Sequence, residues 1–155
     1  MQYWLMKSEP DTYSIDDLAA ETKPALWEGC RNYSVRNFFR DTMQPGDLAF
    51  FYHSNADPSG IVGIMEIVGE PFPDPTQFDP ASEYYDSKSD PATPRWLARN
   101  VRLIQKFART ISLAELRGTP GLEEMLVVRR GQRLSVMPVT PAEWQTVCSL
   151  PGIDG

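Results

Sequence analysis

At 155 residues and 17.5 kDa the chain has the length of one domain, able to bury roughly two thirds of its unfolded surface. Its 41% hydrophobic and 23% charged residues are those of a soluble globular protein, and no apolar run nears the roughly 18 residues of a membrane span. One histidine and two distant cysteines, Cys30 and Cys148, exclude a multi-histidine metal site and match no metal or redox spacing. The first residues show no basic leader before an apolar stretch, so a cytoplasmic protein without a secretory signal is expected.

The predicted elements begin with Tyr3 to Lys7, an aromatic and aliphatic run that reads as a strand. Ser14 is placed to cap a short helix with acids in its first turn. A second helix is predicted from Ser34 towards Thr42, with Val35, Phe38 and Phe39 on its buried face. Pro45-Gly46-Asp47 turns the chain into a strand over Leu48–Tyr52, and a second strand over Ile61–Val68 follows a connection at Asn55–Gly60.

Gly69 to Pro94 changes character, with six prolines among 26 residues and the aromatic cluster Phe78, Tyr84 and Tyr85. That is too long for a neutral connector, and it reads as an ordered flap. Trp96 to Phe107 reads as a long half-exposed strand, and Ser112-Leu113-Ala114-Glu115 as a capping box opening a short helix. Thr119-Pro120 carries the cap and first-turn proline of a further helix. Arg133 to Val139 is a late strand, and Thr140-Pro141-Ala142-Glu143 starts the last helix. Strands dominate, which predicts a single α+β domain with a curved or barrel-like mixed sheet.

The net charge of −6 is unevenly distributed. Residues 1–90 hold 16 acids against 6 bases, whereas 91–133 hold 9 bases against 3 acids. The positive block includes Arg95, Arg99, Arg102, Lys106, Arg109, Arg129, Arg130 and Arg133. It reads either as a solvated surface or as a face that attracts phosphates, with Arg129, Arg130 and Arg133 the candidate phosphate-tracking residues.

Three words combine aromatic rings with fixed polar groups: Lys7-Ser8-Glu9-Pro10, Trp27-Glu28-Gly29-Cys30-Arg31-Asn32-Tyr33 and Phe51-Tyr52-His53-Ser54. Rings offer faces on which a flat heterocycle stacks, while Ser, Asn, His and amide groups read polar edges. Gly29 permits a tight turn, Arg31 can hold a phosphate or carboxylate, and Trp27 reads as a core ring or a ligand-facing one. His53 at a strand end reads as a structural residue or as a reader of a ligand edge. No nucleophile with a matched base is apparent, so the words point to recognition of a planar group without chemistry.

Taken in order, these words resemble the EVE domain family. The resemblance runs through Tyr3–Pro10, Trp27–Phe38, Pro45-Gly46-Asp47, Phe51–Ser54, Gly60–Gly63, Tyr84-Tyr85-Asp86, Pro94-Arg95-Trp96 and Arg133–Val136. Cys30 stands where the family usually has a small aliphatic, and Ser34-Val35 where it usually has Gln-Ala. The resemblance implies a PUA-like curved β-barrel with flanking helices over residues 1–152, similar to the YTH and ASCH domains that read nucleic acid. It implies one pocket surrounded by Lys7, Ser8, Glu9, Trp27, Asn32, Tyr52, His53 and Ser54, with Trp96 closing or supporting it; Arg31, read above as an anion-holding side chain, is counted with the site.

The expected function is therefore a non-catalytic reader of a modified base, modified cytosine in DNA first and a modified RNA base second. It would act as a monomer, without metal or cofactor. A nucleotide- or anion-binding sensor or enzyme using the same pocket is the alternative, and a protein-interaction module using the proline-rich flap is a third reading.

Overall fold

The computed structural model describes residues 1–154. Six strands form one mixed sheet: β1 (Tyr3–Ser8), β2 (Ala25–Trp27), β3 (Leu48–His53), β4 (Gly60–Pro73), β5 (Leu97–Ser112) and β6 (Val136–Val139), in the order β2-β5-β4-β3-β1-β6. Only β1 and β3 run parallel, so the residues between them form a crossover that carries α1 (Ile15–Ala19), β2 and α2 (Tyr33–Asn37). The ladder order is open, with β2 and β6 at its edges, so the barrel expected from the sequence does not close through strand pairing among the described residues. Register shifts interrupt the β3–β4 and β4–β5 ladders, a device that sharpens sheet twist.

Alternation along each central strand feeds two cores on opposite faces of the sheet. Leu5 and Phe50 belong to one cluster, while Trp4, Met6, Ala49 and Phe51 belong to the other. On the first face lies α4 (Pro141–Cys148), opened by the expected capping box of Thr140 and Glu143. Its Trp144 stacks against Tyr3 at 4.5 Å and Phe50 at 3.9 Å between ring centroids. The second face takes Ile15 and Leu18 of α1 and Val35 of α2.

Three local expectations differ from the structure. The helix expected over Ser34–Thr42 ends as an α-helix at Asn37 and continues as one π-helical turn, Phe38–Thr42, closed by the Met43 amide on the Phe38 carbonyl at 2.8 Å. Fully buried Arg99 explains the ending: its guanidinium donates to the carbonyls of Phe39 (2.9 Å), Met43 (2.7 Å) and Gly69 (2.7 Å). Arg99, counted above with the basic face, therefore lies inside the molecule.

No helix starts at Thr119-Pro120. Thr119 instead ends α3 (Leu113–Gly118), donating its hydroxyl to the Glu115 carbonyl at 2.6 Å, and Gly121 turns the chain with φ +96°. The leucine, methionine and valines that follow enter the core through successive three-residue turns, with the Leu122, Met125 and Val128 amides on the Thr119, Leu122 and Met125 carbonyls and a 3₁₀ turn over Leu126–Val128. Finally, the segment read as flap begins inside β4, which extends to Pro73.

Beyond Pro73 the flap is organised internally around buried Gln77. Gln77 donates to the carbonyls of Asp74 and Trp96, both at 2.8 Å, and accepts from Ser89 Oγ at 2.6 Å and the Trp96 amide at 3.1 Å. Trp96 Nε1 donates in turn to Asp86 at 2.8 Å. A buried primary amide with all these partners fixes a loop as firmly as a small core does.

Candidate functional site

A cavity of about 820 Å³ opens where the ends of β1 and β2 meet the flap and the segment before β6. This lies within the roughly 300–1,000 Å³ of small-molecule sites. The parallel ladder pairs Ser8 with His53, so the exits of β1 and β3 emerge side by side, and the Ser54 amide donates to the Ser8 carbonyl at 3.0 Å. The Lys7 amide donates to the Ser135 carbonyl at 2.7 Å, which brings Arg133, Leu134 and Ser135 to the same rim.

Of the sequence-derived candidates, Lys7, Ser8, Glu9, Trp27, Arg31, Ser54 and Arg133 line the cavity. Trp27 does so while only 6% exposed, held edge-on against Phe51 with centroids 5.3 Å apart, so one residue serves both core and wall. Ser8 donates its hydroxyl to the Tyr13 carbonyl at 2.6 Å, and Glu9 accepts from Asn55 at 2.6 Å. Lys7 lies 5.8 Å above the Tyr52 ring, and partial burial lowers its pKa.

Four of the base-binding candidates fall outside the cavity wall, as do Arg129 and Arg130. Asn32 caps α2, accepting from the amides of Ser34 and Val35 at 2.8 and 3.2 Å. Tyr52 packs in the core, only 3% exposed. His53 Nε2 accepts from the Ile15 amide at 3.1 Å and so anchors the start of α1; burial lowers its pKa, in keeping with an imidazole that accepts. Trp96 stacks on Tyr33, centroids 4.9 Å apart, and supports the wall from behind through Arg31.

Arg31 does not keep a free fork for a phosphate. Its five N–H groups are matched by five acceptor contacts: Nε and Nη2 donate to the Tyr84 carbonyl (3.0 and 2.7 Å), Nη1 to the Cys30 carbonyl (3.1 Å) and Asp74 (3.0 Å), and Nη2 to Thr76 Oγ1 (2.9 Å). It rivets the Trp27–Arg31 segment to the flap. Asp74, fully buried, accepts from the Gly29 amide at 2.7 Å and the Thr76 amide at 2.8 Å as well. Burial alone would raise its carboxyl, but bonds from the Thr76 hydroxyl, the Gly29 amide and Arg31 together hold it below the usual carboxylate range.

The sequence reading missed Asp74 and passed over Tyr84 as a site residue. An Asp-Pro-Thr sequence signals a capped turn, and Asp74 does cap the 3₁₀ turn Pro75–Phe78, but nothing local shows that it also reaches Gly29 and Arg31. Gly29, at φ +84°, lies so close to Tyr84 that a Cβ there would meet the ring at 2.7 Å. Gly29→Ala is expected to lower stability by about 1–2 kcal/mol and displace Tyr84, seen as a lower melting temperature and a loss of ligand affinity.

The unpaired positive surface is narrower than the charge distribution implies. Arg102 pairs with Glu66 (2.6 Å), Lys106 with Asp16, Arg109 with Glu115 (2.6 Å) and Arg129 with Glu124 (2.7 Å). Arg130 and Arg133 make no ion pair among the described residues, and both are exposed. Cys30, facing the cavity, has its thiol pushed up to about 11 by burial, far from a reactive thiolate. No helix among the described residues is long and apolar enough to cross a membrane.

Comparison with known proteins places this geometry. Mouse thymocyte nuclear protein 1 is 42% identical over 165 aligned residues, covering 96% of this chain and 73% of that protein. A Pseudomonas syringae crystal structure superposes with a TM-score of 0.90 at 45% identity, covering 95% of this chain and 97% of the other. The human THYN1 protein, crystallised in complex with 5-methylcytosine-containing DNA, superposes with a TM-score of 0.89 at 41% identity, covering 96% of each chain. The EVE domain model matches residues 2–150. With nearly its whole length matched, the chain belongs to the EVE domain family.

Proposed function

We propose that this protein is a non-catalytic reader of DNA carrying a modified base, with 5-methylcytosine its first ligand, and that the base enters the cavity beside Trp27. The observation that carries the reading is the cavity itself, about 820 Å³ with Trp27 in its wall, in a chain 41% identical to the THYN1 protein crystallised with 5-methylcytosine DNA. From a duplex the base must be flipped out, at a cost of a few kcal/mol, and stacking returns about 1–3 kcal/mol per ring. The residues favour binding over chemistry: His53 already accepts from the Ile15 amide, and the Cys30 thiol is held protonated.

The test is fluorescence anisotropy with labelled oligonucleotides that differ only in one base. One added methyl in an apolar slot discriminates roughly 10- to 200-fold, so selective binding of the methylated strand is expected, not exclusion of the unmodified one. Equal affinity for methylated and unmethylated DNA would overturn the reading, and stronger binding of the matching modified RNA would transfer it to RNA.

Arg133, unpaired on the rim, is the favoured phosphate contact, and Arg129, paired with Glu124, is not. Arg133→Ala should weaken methylated and unmethylated DNA alike and reduce the slope of log affinity against log salt by about 1, whereas Arg129→Ala should leave both unchanged. A salt titration of both variants checks this.

A further inference from the structure

5-Methylcytosine and thymine carry the same methyl group and differ at position 4, an amino donor in one and an oxo acceptor in the other. A pocket for the methyl and a ring to stack on cannot separate them. Only an acceptor aimed at the 4-substituent can.

The cavity wall holds four carboxylates. Glu9 accepts from Asn55 at 2.6 Å and Glu21 from the Tyr13 hydroxyl at 3.1 Å, while Glu83 sits on the flap and Glu28 on the segment that follows β2. Asp74, behind the wall, takes up the Gly29 amide, Arg31 and Thr76. Glu28 lines the cavity, is exposed to it, and makes no hydrogen bond or ion pair among the described residues. It follows directly on Trp27 in the chain.

Its backbone is fixed at both ends. Trp27 is locked to Arg99 in the β2–β5 ladder, and the Gly29 amide is bound to Asp74 at 2.7 Å under the Tyr84 ring. A carboxylate on so short and clamped a segment is presented ready for a donor. We propose that Glu28 is the specificity residue that accepts the exocyclic amino group of the bound base and so distinguishes cytosine-type from thymine-type bases.

The inference rests on the base-reading function given above. An oxo group facing Glu28 would set acceptor against acceptor, which adds rejection of the wrong base to recognition of the right one. Partial burial and the Asp74 carboxylate raise the Glu28 pKa, while Arg31 opposes the shift. A less well-solvated carboxylate gains more from a new donor. Lys7, a cation of the same wall with no carboxylate partner among the described residues, supplies a donor suited to a ring acceptor.

The experiment measures affinity for oligonucleotides carrying cytosine, 5-methylcytosine or thymine opposite an abasic site, so that none of the bases is paired and the cost of flipping is equal. The wild type should hold 5-methylcytosine about ten- to a hundredfold more tightly than thymine. In Glu28→Gln, whose amide can turn either its oxygen or its nitrogen to position 4, that ratio should fall to threefold or less, with the preference for 5-methylcytosine over cytosine retained. Glu28→Ala should likewise lose the ratio, and melting temperatures within a few degrees of wild type for either variant show that the fold is intact.

A wild-type ratio near one, or an unchanged ratio in a folded variant, overturns the assignment of Glu28. Loss of the preference for 5-methylcytosine over cytosine in the wild type overturns the base-reading function instead.

Discussion

Arg99→Met is expected to lower the stability of the domain by about 3–5 kcal/mol and its melting temperature by about 10 °C or more. The guanidinium, fully buried, serves the carbonyls of Phe39, Met43 and Gly69, which belong to the π-helical turn and to β4. Each acceptor left without a donor inside the protein costs about 1–3 kcal/mol, and relief from burying a charge offsets part of the total. Burial lowers the Arg99 pKa, and Nε has no partner among the described residues, so the residue is retained for what it holds together despite an unfavourable site. Thermal and urea denaturation followed by circular dichroism measure the effect; a variant melting within about 2 °C of wild type would show that the turn holds without it.

The second large effect is at Trp27, and it has two components. The ring is 6% exposed and packs on Phe51, so Trp27→Ala should cost about 3–5 kcal/mol of stability as a core truncation. The same ring lines the cavity, so the folded fraction should bind methylated DNA more weakly by about 1–3 kcal/mol, with a reduced preference over unmethylated DNA. Trp27→Phe separates the components, since a smaller ring preserves most of the packing while shrinking the stacking platform. Calorimetry at a temperature where each variant is folded, with its melt measured alongside, gives both quantities. Wild-type preference in folded Trp27→Phe and Trp27→Ala would remove Trp27 from the base-binding role.

The regular elements were legible because their signals are local. Ser14 caps α1 as read, Thr140 forms its capping box, Ser112 caps α3 without the reciprocal bond of the box read there, Pro141 opens α4, and β1 and β3 lie where the apolar runs place them. Legibility stopped where a distant group decides the outcome. The π-helical turn after Asn37 depends on Arg99, sixty residues away, and the ordering of the flap depends on Gln77 and Asp74 rather than on its aromatics.

Composition likewise marks charges but not their partners. The positive block reads as a surface, yet Arg99 is buried, Arg102 and Lys106 face carboxylates from distant segments, and Arg109 and Arg129 face the acids of their own block, Glu115 and Glu124. Within the three aromatic-polar words, residue type could not separate wall from support. Lys7, Trp27 and Ser54 reach the cavity, whereas Asn32, Tyr52 and His53, equally suited by chemistry, are engaged by α2, the core and α1.

The clasp between the Lys7 amide and the Ser135 carbonyl joins the first strand to the last-placed wall of the cavity. Parallel pairing of β1 with β3 and closure by residues near β6 both demand contacts between remote parts of the chain, which are the slow ones to form. A chain emerging from the ribosome thus lacks the Arg133–Ser135 wall of the cavity until the last strand has been made and docked. Affinity becomes a property of the completed domain, so whatever occupies the cavity acts as a global clamp, shifting the equilibrium of the entire fold and not of one mobile region.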